Sequence, residues 1–490
     1  MTRVLVVTAD VLRAQIAGPA MRALNISRRL AQDNNDVRLI TTSPYCELGP
    51  VGFHALAGGP AELAEGEAWC DVMVLQGYVT LHHPFLAASR KIIVFDVYDP
   101  LHLETLALTK GATGPARDNH IRLSVETLNH QLERADFLIC ANERQRDLFI
   151  GQLCALGRAN ALTYDEDPTL RRLIDVVPFG LPDEAPVHQR AALRGVVPGI
   201  GQTDDVLVWA GGIYDWFDPL TLIRAVGRLS ERRPSVRLYF MGLRHPNPDV
   251  PPMKMAIDAQ ALATELGLLN VNVFFNEGWV GYSDRQDFLL EANLGVTVHF
   301  DSAETRFAFR TRALDYLWAG LPVVATRGDS FGQLLEDEGL GLTVPAEDAE
   351  ALEAALWRLL DDWEMAERCR ARVAEVRQRF RWSVALEPLA AFCRDPRPAP
   401  DLALVHSGEA PAGPVPVSPV PVSPVPASPV LDSPGSESLV PPSAPAEGPT
   451  AAGVNKLGFS ELVRFHYRQG GVGQVVRSAA RKAARLARRE

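Results

Sequence analysis

The chain has 490 residues, a net charge of −11, 47% hydrophobic residues and 22% charged residues, which is ordinary for a globular protein of two or three domains. It has no apolar run near the roughly 18 residues that a membrane span needs, and its N-terminal RVLVVTAD shows no cleavage-site pattern. We therefore expect a cytoplasmic protein. The six cysteines include no C-x-x-C pair, which argues against a disulfide framework and against a structural zinc site.

The first part of the chain alternates between predicted strands and predicted helices, which is typical of a parallel sheet. The strands are predicted at residues 4–7, 37–41, 72–76, 92–97 and 137–140, and helices near 118–134 and 143–157. The loop after the first strand contains Gly18 and leads into an amphipathic helix. A strand, a glycine loop and a helix form the ligand crevice of doubly wound sheets, although a simple turn explains Gly18 equally well.

Acidic and histidine side chains follow the strand at 92–97, in the segment FDVYDPLHLE. Asp99 and His102 stand near the carboxyl end of this strand, where open α/β sheets bind ligands. The alternative is that Asp99 begins a turn at Pro100 and that His102 is a surface residue. Both interpretations stay open from the sequence.

A second sheet is predicted to begin at residues 206–210, after a proline-rich connection near 173–186. Gly211 and Gly212 follow its first strand and precede a helix at 220–229, so their backbone amides can approach a phosphate without a Cβ in the way. Gly242 and Arg244 follow the next strand, and Arg244 is a candidate cation for that phosphate. Trp216, between the glycines and the helix, fits either a stacking contact or core packing.

Residues 301–329 read as a charged loop, a helix, a Gly-Leu-Pro turn and a short β-branched strand. Asp315 is the carboxylate on this otherwise apolar helix, and it follows Arg310 and Arg312. Such a carboxylate either joins an ion pair on a solvated face or faces a ligand with hydroxyls and phosphates. Residue types alone do not decide between them.

The segment resembles the signature of family-4-type retaining glycosyltransferases of the GT-B architecture. Asp315 falls where those enzymes place the carboxylate that binds the ribose of the sugar nucleotide. The resemblance implies that the helix N-terminus, including Phe309 and Thr311, offers its amides and dipole to the diphosphate. The usual pattern has Glu eight positions upstream, where this chain has Phe307. Glu304 is the nearest upstream acid and is the candidate for contact with the donor sugar.

The resemblance covers roughly residues 1–394 and implies an α/β fold of two Rossmann-like domains that face each other across a cleft. The expected acceptor-side domain spans 1–181, the donor-nucleotide domain 182–379, and a helix at 380–395 returns to the first domain. Gly18, Gly211, Gly212, Gly242 and Arg244 are then expected on the donor, with the helix residues named above. Glu304, Arg310, Arg312, Asp99 and His102 are the expected catalytic residues.

The implied activity moves a sugar from a nucleotide-diphosphate donor to a glycan or lipid-linked acceptor, in the synthesis of cell-surface polysaccharides or glycoconjugates. If configuration is retained, the leaving diphosphate oxygen can take the acceptor proton, while amide dipoles and arginines stabilise the developing charge. No covalent nucleophile, metal or cofactor is therefore expected. Two rivals stay open: a degenerate GT-B protein that only binds nucleotide sugars, and a non-transferring sugar-nucleotide enzyme such as an epimerase.

The C-terminal part of the chain has a different composition. Residues 396–455 contain near-repeats of VPVSP and predict a semi-stiff disordered spacer. Residues 456–490 carry nine Lys or Arg and two Glu, a net charge of +7. Since the whole chain has a net charge of −11, residues 1–455 carry −18. An acidic body does not suggest nucleic acid as a partner. The tail predicts a basic amphipathic segment that lies on an anionic membrane surface, with a solvated or nucleic-acid-binding tail as the alternative.

Overall fold

The computed structural model describes residues 1–244 and 253–407. The predicted basic tail at 456–490, and the predicted spacer from residue 408 onward, lie outside the described residues. In the described part of the chain, no helix has both the length and the apolar character needed to cross a membrane.

The first domain is built on a seven-stranded parallel sheet with the order β3-β2-β1-β4-β5-β6-β7. Its strands are β1 (Arg3–Thr8), β2 (Asp36–Thr41), β3 (His54–Ala57), β4 (Val72–Gln76), β5 (Ile92–Asp96), β6 (Phe137–Cys140) and β7 (Ile174–Val176). Its helices are α1 (Gly18–Gln32), α2 (Pro60–Trp69), α3 (Val79–His82), α4 (Pro84–Ala87), α5 (Leu101–Leu108), α6 (Pro115–Arg134), α7 (Glu143–Ala155) and α8 (Ala161–Glu166). β1 and β4 are central and almost wholly buried, because helices cover both faces of the sheet.

The second domain is built on a six-stranded parallel sheet with the order β10-β9-β8-β11-β12-β13. Its strands are β8 (Asp205–Trp209), β9 (Val236–Phe240), β10 (Val273–Phe275), β11 (Leu294–Thr297), β12 (Val323–Thr326) and β13 (Gly341–Val344). Its helices are α9 (Pro219–Arg232), α10 (Lys254–Glu265), α11 (Arg285–Leu290), α12 (Ala303–Phe307), α13 (Thr311–Ala319), α14 (Ser330–Glu338), α15 (Ala349–Asp361) and α16 (Trp363–Val376). The predicted α/β architecture of two Rossmann-like domains is confirmed.

The return to the first domain is not the single helix that the sequence predicts at 380–395. A 3₁₀ turn at Arg377–Phe380 is followed by two short helices, α17 (Trp382–Ala385) and α18 (Glu387–Arg394). Pro388 lies in the first turn of α18 and has no N–H to continue the preceding helix, which explains the interruption. α18 packs on the first domain, where Phe392 stacks on Phe137 with ring centroids 4.6 Å apart.

Residues 396–407, which the sequence assigns to the spacer, include folded elements. A 3₁₀ turn at Pro400–Leu402 and α19 (Ala403–Ser407) lie against the first domain. Asp401 forms an ion pair with Arg158 at 2.7 Å, and both side chains are buried. His406 contacts Asp136 at 2.7 Å, a contact that raises the pKa of His406. These pairs join residues far apart in the sequence, so composition alone does not reveal them.

All strands within each sheet are parallel, so their carboxyl ends meet at one edge of that sheet. The two edges border a shared cleft. Gln145 helps to hold the domains around it, because its Nε2 donates to the carbonyls of Tyr98 and Phe307 at 2.7 and 2.8 Å. Phe179 of the first domain stacks on Phe309 of the second at 5.8 Å.

Candidate functional site in the interdomain cleft

The cleft between the two sheets is a cavity of about 770 Å³. Ten of the residues predicted from the sequence line it: Gly18, Asp99, Gly211, Gly212, Glu304, Phe309, Arg310, Thr311, Arg312 and Asp315. Three others do not line it. His102 lies on α5, Gly242 pairs with Trp279 in a β-bridge, and Arg244 is largely exposed and lies 3.6 Å from Glu277. Arg244 directly precedes the undescribed residues 245–252.

The glycine loop after β8 has two different faces. Gly211 has φ +74°, a left-handed conformation that favours glycine, and a Cβ there would meet no atom within 4 Å. Gly212 is closely covered, because a Cβ there would lie 3.0 Å from the indole of Trp279. Gly242 packs against the same indole, with a Cβ distance of 2.9 Å. Of these three glycines, Gly211 is therefore the one with open space for a ligand beside its backbone.

Aromatic residues occupy the rest of this loop, where the sequence offers no Lys or Arg. The rings of Tyr214 and Trp216 are parallel, with centroids 4.9 Å apart and planes 3° apart. Both line the cleft. Asp218 then caps α9 by accepting a hydrogen bond from the backbone N–H of Thr221 at 3.0 Å. The loop offers flat apolar surfaces to a ligand, and cations must come from elsewhere.

Arg312 brings a cation to the glycine loop from the first turn of α13. Its Nη2 donates to the carbonyl of Gly212 at 2.8 Å, and its guanidinium lies 4.4 Å from the centre of the Trp209 ring and 3.9 Å from that of Phe217. Its Nη1 is buried and has no hydrogen-bond partner. Burial lowers the pKa of Arg312 to about 10, so it remains protonated at neutral pH. Arg312 therefore brings a positive charge to the lining of the cleft.

Arg310 is instead committed to a buried ion network. It lies 3.3 Å from Glu304 and 3.4 Å from Asp329, and all three side chains are buried. His299 lies 3.3 Å from the same Asp329 carboxylate. Burial alone would raise the pKa of Asp329, but His299 and Arg310 together hold it below its ordinary value. Two arginines that the sequence does not distinguish therefore have different environments.

Asp315 lies on α13 and forms an ion pair with Arg285, at 2.9 Å between Oδ1 and Nε. The guanidinium of Arg285 lies over the rings of Tyr282 and Trp318, at 3.7 and 4.4 Å from their centroids. About 28% of the Asp315 side chain stays exposed, and it lines the cleft. The two interpretations of Asp315 are thus compatible, since a paired carboxylate still faces the cavity.

The first domain contributes a wall of acidic groups. Burial raises the pKa of Asp10, which follows β1, to about 6. Burial, with the nearby charge of Asp96, raises the pKa of Asp99 to about 7. The pKa of Glu104 is raised well above its ordinary value by burial and by Asp99 and Glu304. In residues 1–244 and 253–407, no group of three His, Cys, Asp or Glu side chains is arranged to hold a metal ion.

Several residues that line the cleft were not predicted from the sequence. Asp10 and Gln76 stand at the carboxyl ends of β1 and β4, and the strand-end rule that selected Asp99 could have found them. Trp279, Tyr282 and Arg285 come from the loop and helix after β10, where no sequence pattern marks them. Their position depends on the packing of that loop over the glycines.

Comparison with known proteins finds a family match in the second domain. Residues 204–362 match the family model described as Glycosyl transferases group 1. A D-inositol 3-phosphate glycosyltransferase from Saccharomonospora viridis is 28% identical over 262 residues, and the match spans 51% of this chain and 59% of that protein.

Two solved structures show the same fold over 80% of this chain. Sucrose-phosphate synthase from Thermosynechococcus elongatus has a TM-score of 0.59 at 16% identity, with 99% of that chain covered. Anabaena HepE in complex with UDP-glucose has a TM-score of 0.59 at 14% identity, with 100% of that chain covered. The chain therefore has the GT-B fold, and its match to the group 1 glycosyltransferase model lies in the second domain.

Proposed function

We propose that this protein is a glycosyltransferase that moves a sugar from a nucleotide diphosphate to a glycan or lipid-linked acceptor, with retention of configuration. The observation that carries the proposal is the donor side of the cleft, where Gly211 and three residues of α13, Thr311, Arg312 and Asp315, line one cavity. The backbone amides and the guanidinium among them are donors suited to a diphosphate. The HepE structure with UDP-glucose supports a nucleotide-sugar donor by likeness of fold.

The reaction proposed here needs the protein mainly for positioning and for electrostatic stabilisation. The acceptor oxygen would form a bond to the anomeric carbon as the bond to the diphosphate oxygen breaks, and that oxygen would take the acceptor proton. Arg312 and the α13 amides would stabilise the negative charge on the leaving group. This scheme requires no covalent nucleophile.

A panel of nucleotide sugars tests the donor assignment directly. A ligand that binds only the folded protein raises its melting temperature in proportion to RT ln(1 + [L]/Kd). We expect one nucleotide diphosphate sugar to give a saturable shift, and we expect release of the nucleoside diphosphate to depend on added acceptor. Release that never depends on an acceptor would contradict transfer.

We predict that Asp315→Asn weakens donor binding by about 1.5 to 3 kcal/mol, because the ribose hydroxyls lose a charged hydrogen-bond acceptor. Binding is measured by titration calorimetry with the donor found in the panel. Asp258→Asn on α10 is the matched control, since Asp258 pairs with Lys254 outside the cleft. Equal donor affinity in folded Asp315→Asn and Asp258→Asn would remove Asp315 from the donor site.

A nucleotide-sugar-binding protein without turnover is the second candidate. The indole of Trp279 covers Gly212 and Gly242, and residues 213–219 contain no Lys or Arg. Both features reduce the phosphate-binding capacity of the loop. Saturable donor binding with no release of nucleoside diphosphate over a broad acceptor panel would favour this function.

Association with a membrane surface is a proposal that rests on the sequence of residues 456–490. Apolar residues in the first half of this tail precede six Lys or Arg from Arg477 onward. Each basic residue near an anionic surface contributes about 1 kcal/mol before screening. We predict salt-sensitive co-sedimentation with anionic vesicles that is lost when 456–490 is deleted. Equal sedimentation of the intact and shortened proteins would contradict it.

A further inference from the structure

Arg285 lies in the lining of the cleft and is the ion-pair partner of Asp315 within the described residues. Its Nε donates to Oδ1 of Asp315 at 2.9 Å, between residues that are 30 positions apart in the sequence. The contact joins α11 to α13. The predicted donor carboxylate is therefore held by a residue of another helix.

The guanidinium of Arg285 is itself held between two aromatic rings. Its Cζ lies 3.7 Å from the ring centroid of Tyr282 and 4.4 Å from that of Trp318. Its Nη1 donates to the carbonyl of Tyr282. Arg285 is 7% exposed, so its guanidinium has little room to move away from Asp315.

The two rings are anchored outside the cleft. Nε1 of Trp318 donates to the carbonyl of Glu184 at 2.7 Å, in the connection between the two domains. The carbonyl of Trp318 accepts a hydrogen bond from Nη1 of Arg377 at 3.0 Å. The backbone N–H of Tyr282 donates to the carbonyl of Ala14 at 3.3 Å, in the loop between β1 and α1. The position of the guanidinium therefore depends on the packing of both domains.

The pairing leaves Asp315 able to bind a ligand. A carboxylate has about four acceptor positions on its two oxygens, and the hydrogen bond from Arg285 uses Oδ1. Oδ2 makes no hydrogen bond with any residue that the structure describes, and 28% of the side chain is exposed. Burial would lower the pKa of Arg285, but the charge of Asp315 raises it above its ordinary value, so Arg285 is protonated at neutral pH.

We propose that Arg285 is a positioning residue for the sugar-nucleotide donor, because it fixes the carboxylate of Asp315 in the orientation that accepts hydrogen bonds from the ribose hydroxyls. The χ2 torsion of an aspartate is broad, so a carboxylate without a partner turns easily. A hydrogen bond from a fixed guanidinium removes this freedom before the donor binds. This role of Arg285 rests on the proposed function for the identity of the ligand, but recognition of the ribose does not require transfer.

The test uses the nucleoside diphosphate of the donor that gives the largest thermal shift, together with its 2′-deoxy and 3′-deoxy forms. Titration calorimetry measures the three affinities without an acceptor. We expect the wild type to bind the ribose form about tenfold more tightly than at least one deoxy form, as a charged hydrogen bond predicts. Arg285→Met keeps an apolar contact with the two rings, and we expect it to reduce this ratio to about threefold or less.

The ratio separates positioning from a structural role. A purely structural role would lower the stability of the variant without changing the ratio, because the three ligands meet the same folded protein. Arg285→Lys keeps the charge but cannot serve both Asp315 and the carbonyl of Tyr282 with a fixed fork of donors, so an intermediate ratio is expected. If Arg285→Met fails to fold, Arg285→Lys provides the same test. A wild-type ratio in either folded variant would overturn the proposal.

Arg233→Met is the matched control, and we expect it to leave the ratio unchanged. Nε of Arg233 lies 2.7 Å from Asp205, and its guanidinium lies 5.9 Å from the ring centroid of Trp357, outside the lining of the cleft. The double variant Arg285→Met with Asp315→Asn should have the same ratio as Asp315→Asn alone, because Arg285 acts through Asp315. A further fall in the double variant would contradict positioning.

Transfer is measured separately, as acceptor-dependent release of nucleoside diphosphate by the wild type. Loss of the ratio in Arg285→Met, with no transfer by the wild type, would support the role of Arg285 and contradict the proposed function. Transfer by the wild type, with equal ratios in the wild type and Arg285→Met, would do the reverse.

Discussion

Replacing Arg22 with methionine is expected to lower the free energy of unfolding by about 3 to 5 kcal/mol. Arg22 is fully buried, and its guanidinium contacts Asp96 at 2.7 and 2.8 Å. It also donates to the carbonyls of Val177 at 2.8 Å and Pro178 at 3.1 Å. The substitution leaves a buried carboxylate and two carbonyls without these hydrogen-bond donors. Urea denaturation of the purified variant measures the change.

Arg28→Met is the matched control, because Arg28 is exposed on the same helix, α1. We expect it to change stability by about 0.5 kcal/mol or less. A double variant, Arg22→Met with Asp96→Leu, should regain part of the loss, since no unpaired charge remains. A loss below about 1 kcal/mol in Arg22→Met would show that the buried pair is dispensable. The experiment also bears on the cleft, because Asp96 is one of the charges that raise the pKa of Asp99.

The sheets could be predicted because buried parallel strands are continuous apolar runs. The strand predicted at 206–210 lies at Asp205–Trp209, a shift of one residue. The segment that returns to the first domain was harder to predict. Its break before Pro388 depends on how the two short helices pack on that domain. The packing of residues 396–407 was missed, since Asp401 and His406 find partners that are 243 and 270 residues away.

Some of the residues that line the cleft could be predicted, because they belong to local sequence features. Strand ends and glycine loops are local features that predicted Asp99 and Gly211 on the cavity, whereas Asp315 was predicted from the family resemblance. Which side chains reach the cavity, and which are covered by other residues, depends on tertiary packing and cannot be read from neighbouring residues in the sequence. His102 follows the same strand as Asp99 but is absent from the lining, and Trp279 covers Gly212 from a loop that no pattern marks. The roles of the lining residues remain predictions.

Arg310 and Arg312 show this limit most clearly, because they are two positions apart and have the same chemistry. Arg310 is held by Glu304 and Asp329. Arg312 has no carboxylate partner within 4 Å in the described residues, and it donates to the carbonyl of Gly212 in the lining of the cleft. We therefore expect Arg310→Ala to act mainly on stability, since it leaves two buried carboxylates without their arginine. Arg312→Ala should act mainly on catalysis.

We predict that Arg312→Ala lowers kcat by about 10² to 10³, as expected when a preorganised donor to a developing negative charge is removed. It should also lower stability, because the packing of the guanidinium on Trp209 and Phe217 is lost, so the rate is measured on a variant shown to be folded. Arg312→Lys keeps the charge but cannot serve both Gly212 and the ligand, so an intermediate rate is expected. Added guanidinium should restore part of the rate of Arg312→Ala and none of Arg310→Ala. Turnover of folded Arg312→Ala within about threefold of the wild type would exclude Arg312 from stabilising the leaving diphosphate.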